Sequence, residues 1–102
     1  MMKCETGFGT YEVELRVSKY RNNGNLAVML WSPTEGPFAT ITVNLCKLPA
    51  GYAYLDTNNC PWVEGFVKRY GLAEDANASG CSGYCVYPLY KFNMDKLPEA
   101  EV

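Results

Sequence analysis

From Tyr11 to Tyr20 the chain reads YEVELRVSKY, in which Tyr11, Val13, Leu15 and Val17 alternate with Glu12, Glu14, Arg16 and Ser18. A helical period would spread those apolar residues around its circumference, whereas a period of two gathers them on one face and leaves the charges wet. The segment therefore predicts a half-buried strand, and such a strand needs neighbours. RNNGN follows, and its Asn23-Gly24 pair accepts the positive φ angles of a tight hairpin turn. Leu26 to Trp31, LAVMLW, is apolar on both faces and predicts a central strand. SPTEGP breaks the chain again, and Phe38 to Leu45, FATITVNL, predicts a third strand with Ala39, Ile41, Val43 and Leu45 on one face and Thr40, Thr42 and Asn44 on the other.

After CKLPAG, the short YAYLD is the expected fourth strand, leading into DTNNCPWVEGFVKRYGL, where the pattern changes. Proline has no N–H to lose in the first helical turn, so Pro61, with Asn58, Asn59 or Cys60 as cap, predicts a helix over 61–70 that Gly71 stops. Trp62, Phe66 and Tyr70 recur every fourth residue beside Val63 and Val67, and Glu64 and Lys68 are spaced to pair on the exposed side. LAEDANASGCSG shows no periodicity and reads as a loop. YCVYPLYKF, 84–92, reads as a last strand in which Pro88 argues for a sheet edge or a bulge. Residues 1–10 are expected to be a flexible lead-in and 95–102 a fraying tail. The expected fold class is α+β, one domain over 1–102: an antiparallel meander of four to five strands packed against one main helix, with 11–56 mainly strands.

With 48% hydrophobic residues in 102, one core can be filled. Acidic residues outnumber basic ones by 11 to 9, so there is no positive field to draw a phosphate backbone, and no crowd of carboxylates dense enough to imitate DNA. No apolar run approaches the roughly 20 residues that span a bilayer, and the N-terminus has no signal-peptide core, so a cytoplasmic location is expected. The five cysteines form an odd set, which suits reduced thiols, and the chain has no histidine to serve as the imidazole of a catalytic triad.

Several residues invite a chemical role. Cys60 precedes a predicted helix, where the free N–H groups favour a thiolate, but the second cysteine of a redox motif is missing and Val63 stands in its place. Cys81 and Cys85 have a spacing that permits zinc, with Cys46 and Cys60 to complete four thiolates, yet only one tight pair is present. A thiol- or zinc-dependent sensor or enzyme centred on Cys60 and Cys85 is thus an alternative, while the expectation is that no catalytic group, metal or cofactor is used. Asp56 and Asn58 belong to a polar run that either caps the helix or meets a ligand. The glycines of TGFGT precede no lysine and helix and so make no phosphate loop. Eight tyrosines exceed what a small core absorbs, and Tyr84, Tyr87 and Tyr90 fall on both faces of one strand, which makes them candidate partner contacts with Asp56 and Asn58.

KYRNNGNLAVML, GPFATITVNL, DTNNCPWVEGFVKRYGL and SGYCVYPLYKF, in that order, also resemble a small domain family of formerly unknown function. Its members are carried on plasmids, phages and conjugative elements of gut Firmicutes and Bacteroidetes. The resemblance runs from about Tyr11 to Leu97. Some relatives look like anti-CRISPR proteins that inhibit the RNA-guided DNA nuclease of type II systems. The resemblance thus implies a non-enzymatic inhibitor whose partner is that nuclease, with no direct contact to nucleic acid or membrane. It gives no residue a role. A mobile-element protein that counters restriction is a second implication. An exposed sheet edge would also permit a homodimer.

Overall fold

A computed structural model describes residues 2–99. Its strands are β1 (Met2–Thr6), β2 (Gly9–Lys19), β3 (Leu26–Ser32), β4 (Gly36–Thr40), β5 (Thr42–Val43), β6 (Tyr52–Leu55), β7 (Ala73–Ser82) and β8 (Cys85–Phe92). Helix α1 (Val63–Arg69) lies between β6 and β7 in the chain, and a 3₁₀ turn spans Met94–Lys96. Two antiparallel four-stranded sheets result, ordered β1-β2-β3-β4 and β5-β6-β8-β7. The class is α+β as expected, with more strands than the four to five expected from the sequence.

The alternation in β2 holds: Val13 and Val17 are fully buried, and Tyr11 and Leu15 pack at the margin of the core. β3 is central, between β2 and β4, and its outward Trp31 is covered by the Arg16 guanidinium, 3.9 Å from the ring centroid. FATITVNL is two strands. The chain turns at Ile41, whose N–H donates to the Val28 carbonyl at 3.0 Å and whose carbonyl accepts from the Asp56 N–H at 2.9 Å. Ile41 thus joins one sheet to the other, and Ile41 and Thr42 are buried in succession. The single alternating strand is corrected there, because a corner residue faces inward on both sides.

Residues 2–6 are a paired strand instead of a lead-in, with Met2, Cys4 and Thr6 turned inward relative to Lys3 and Glu5. The helix covers the outer edge of β1: the Tyr70 hydroxyl accepts from the Lys3 N–H at 2.7 Å and donates to the Lys3 carbonyl at 3.2 Å, and Arg69 meets Glu5 at 3.2 Å. The expected loop at 72–83 is largely β7, with a bulge between Asp75 and Ala78 and Asn77 at φ 58°. Its small residues carry little strand signal, and the packing explains one of them: a Cβ at Gly80 would stand 2.8 Å from the Tyr54 ring of β6. β8 is central, and Pro88 is accommodated because β6 pairs only as far as Leu89, beside the β7 bulge.

The helix begins two residues later than expected, and no side chain caps it. Asp56 instead closes the turn before it, accepting from the Asn59 N–H at 3.1 Å and from the Asn59 amide at 2.9 Å. Glu64 does not pair with Lys68. It accepts the Tyr90 hydroxyl at 2.6 Å, tying helix to sheet, while Lys68 lies over the Tyr90 ring at 5.9 Å. The start of the expected tail is docked: Asn93 caps the 3₁₀ turn, and Leu97 packs at the core margin. Residues 100–102 of that tail lie outside the described residues.

Candidate functional site

The predicted contact tyrosines part company. Gly83, at φ 60°, and Tyr84 form the two-residue turn between β7 and β8, a place where a glycine in first position permits the mirror-image turn that strand twist prefers. Tyr84 there is wholly exposed, with Val86 beyond it. Tyr90 is fully buried under the helix, where burial, and behind it the Glu64 carboxylate, raise its hydroxyl pKa. Tyr87 is buried on the reverse face of the same strand. Of the three tyrosines expected as contacts, Tyr87 and Tyr90 are thus buried in the fold and Tyr84 alone is exposed. Asp56 is buried and engaged in its turn, and Asn58 is exposed beside it.

The cysteines are dispersed in the same way. Cys4 and Cys60 lie in the core, Cys85 is half-buried, and Cys46 and Cys81 are exposed. Burial first, then the Asp56 carboxylate, pushes the Cys60 thiol up to about 11, so at neutral pH it is a thiol and a poor nucleophile. Among the described residues, no three His, Cys, Asp or Glu side chains gather as a metal would require.

What the structure assembles is a row of aromatic rings. Trp62, Phe66 and Tyr70 meet edge to face along the helix with centroids 6.3 and 5.3 Å apart. The row continues onto the first sheet through Phe38, 6.2 Å from Trp62, and Tyr11, 5.1 Å from Phe38. Phe38 reaches the row because of a bulge: Leu30 pairs with Ala39 and Trp31 with Pro37, so Phe38 is the extra residue. Phe8 stands beside it in the β1–β2 turn, 95% exposed. The Thr6 hydroxyl holds that turn, accepting from the Phe8 N–H at 3.1 Å and donating to the Gly9 carbonyl at 3.2 Å.

Phe8, Tyr11, Phe38 and Trp62 wall a cleft of about 340 Å³, with Glu35 and Asn59 among its other lining residues. A second cleft, of about 400 Å³, shares Tyr11 and Glu35 and adds Glu12. A larger hollow of about 470 Å³ lies by the 3₁₀ turn, but it mixes Glu74 and Asp95 with Lys91 and has one aromatic ring, Phe92, itself buried.

Sequence reasoning expected the helical part of the row and missed Phe8, Phe38 and Glu35 as parts of one surface. The alternation of Met2, Cys4 and Thr6 before Gly7-Phe8 was the available signal that Phe8 crowns a hairpin. Nothing local announced the bulge at Phe38.

Among the described residues, no helix is long and apolar enough to cross a membrane. No curated protein and no solved structure matches the chain. The model of a domain of unknown function, DUF4313, matches residues 14–101, from the middle of β2 onward, and the chain belongs to that family.

Proposed function

We propose that the protein acts by binding another protein, and that the aromatic cleft is the surface it uses. One observation carries this reading: Phe8 is held almost fully in water by a hydrogen-bonded turn, beside a half-open wall of Tyr11, Phe38 and Trp62. A large apolar side chain kept exposed beside the half-buried Tyr11, Phe38 and Trp62 marks an interaction site, and tryptophan and tyrosine are the residues in which binding energy concentrates. The protonated, buried Cys60 supports the same conclusion, since it removes the leading nucleophile of the thiol alternative.

The target is the RNA-guided DNA nuclease of a type II CRISPR system, inhibited stoichiometrically in the cytoplasm of a cell that a mobile element has entered. Only the family-like segments quoted above support that choice of partner. An excess of two carboxylates over basic groups fits contact with protein better than with nucleic acid.

The test is cleavage of target DNA by a panel of type II nucleases, with the protein added before or after guide loading. Wild type should inhibit at least one nuclease at near-equimolar ratio, Phe8→Ser should lose most of that inhibition, and Tyr84→Ser should retain it. Inhibition that survives Phe8→Ser and falls with Tyr84→Ser would move the working surface to the β7–β8 turn. No inhibition of any nuclease would refute the target.

A further inference from the structure

We infer that the occupant of the aromatic cleft is a cationic side chain of the partner protein, with arginine preferred over lysine. This rests on the reading of the cleft as a protein-docking surface and adds the chemistry it selects. Four of the lining residues, Phe8, Tyr11, Phe38 and Trp62, are aromatic, and an aromatic ring attracts a cation placed over its face. The fold already uses this contact internally: Arg16 covers Trp31 at 3.9 Å, and Arg69 lies 5.3 Å from the centroid of Tyr70. Phe8, Tyr11, Phe38 and Trp62 have no such cover among the described residues.

The charges around the cleft are one-sided. Glu35 lines both this cleft and its neighbour, Glu12 lines the neighbour, and neither cavity is lined by a lysine or arginine. Among the described residues the ion pairs are Arg16 with Glu14 and Arg69 with Glu5, so Glu35 and Glu12 have no cation within bridging distance. The hollow on the other side of Trp62 differs, since Lys3 and Arg69 line it with Glu5. Asn59 adds an acceptor: its amide nitrogen is committed to Asp56 at 2.9 Å, which leaves its amide oxygen for a donor.

An apolar occupant would strip water from Glu35 and return nothing, and a phosphate or carboxylate would be repelled. A guanidinium answers both features, stacking its plane on a ring while its N–H fork meets a carboxylate.

The experiment is a titration of the ¹⁵N-labelled full chain in low salt with Nα-acetyl-arginine amide, its neutral isostere Nα-acetyl-citrulline amide, and Nα-acetyl-lysine amide. The Trp62 indole N–H is the reporter, and the Trp31 indole, its face covered by Arg16, is the internal reference. The expected result is a saturable shift at Trp62 with arginine amide in the millimolar range, at least fivefold weaker with citrulline amide and intermediate with lysine amide. It should weaken severalfold in Glu35→Gln, a change at an exposed residue that leaves its backbone N–H donating to the Ser32 hydroxyl. Equal binding of citrulline and arginine, no saturable shift at Trp62, or an unaltered affinity in Glu35→Gln would each overturn the inference. Nuclease inhibition that persists alongside such a failure would leave docking intact and refute only its chemistry. Arginine selectivity without inhibition of any nuclease would refute the target and keep the cleft.

Discussion

Tyr70→Phe removes one oxygen atom and should loosen one end of the molecule. In the wild-type chain that oxygen serves both polar groups of Lys3, which pairs with Glu12 across β1 and β2 with its N–H and carbonyl turned outward to the helix. The phenylalanine ring keeps its contact with Phe66, 5.3 Å away, and with Arg69, so packing is conserved and the hydrogen bonds alone are lost. A net value of about 0.5–1.5 kcal/mol per bond, with water replacing part of each at this exposed edge, gives a loss of about 1–2 kcal/mol. For a domain of this size that corresponds to a fall in Tm of about 5–10 °C. Urea unfolding followed by tryptophan fluorescence should show a lower midpoint with unchanged slope. Hydrogen exchange should localise the effect, with the Lys3 amide losing protection and the amides of β6 and β8 keeping theirs up to global opening. An unchanged Lys3 exchange rate with stability within about 0.3 kcal/mol of wild type would refute the claim that the helix closes the β1 edge.

Gly80→Ala should be destabilised by about 1–3 kcal/mol, because its Cβ would stand 2.8 Å from the Tyr54 ring and 3.1 Å from Leu45; thermal unfolding of the variant, and of Gly80→Ala with Tyr54→Leu as rescue, checks it. Stability should also fall between about pH 9 and pH 11. Cys4 and Cys60 are both pushed up to about 11 by burial, so the unfolded chain releases those protons first and each thiol contributes up to about 3 kcal/mol to the loss as pH rises. Urea midpoints at pH 8 and pH 10.5, compared with those of a Cys4→Ala, Cys60→Ala double variant, would measure it; equal slopes with pH in both chains would refute it.

The strands that were legible from sequence are those with one wet and one dry face over several residues, β2 above all, where solvent imposes the alternation. β3 showed its central place through Ala27, Met29 and Trp31, apolar residues on the face that solvent would otherwise claim. β7 was illegible because its residues are small and mostly exposed, so no apolar alternation marks it: Gly80 leaves room for the Tyr54 ring of β6, and pairing with β8 is carried by backbone groups. β1 was hidden by its shortness and by Gly7 and Gly9, which follow it. The break at Ile41 escaped because each half of FATITVNL alternates plausibly, and only the meeting of two sheets decides where inward changes direction. The helical members of the aromatic row followed from their spacing, whereas the cleft needed Phe38 out of register and Phe8 on a turn, both consequences of pairing between distant strands.

Ile41 has a further meaning for how the molecule comes apart. Its two backbone groups answer to different sheets, and its side chain has no exposure at all. If either sheet peels away, a polar group is stranded beside the core without water, at a cost that falls on the sheet still formed. Separation of one half thereby weakens the other, and intermediates with one sheet intact lose their advantage. A chain of two sheets is in this way favoured to unfold as one cooperative unit, with Ile41 coupling them beside the Val28 N–H that donates to the Thr42 hydroxyl at 3.2 Å and the core that both sheets share.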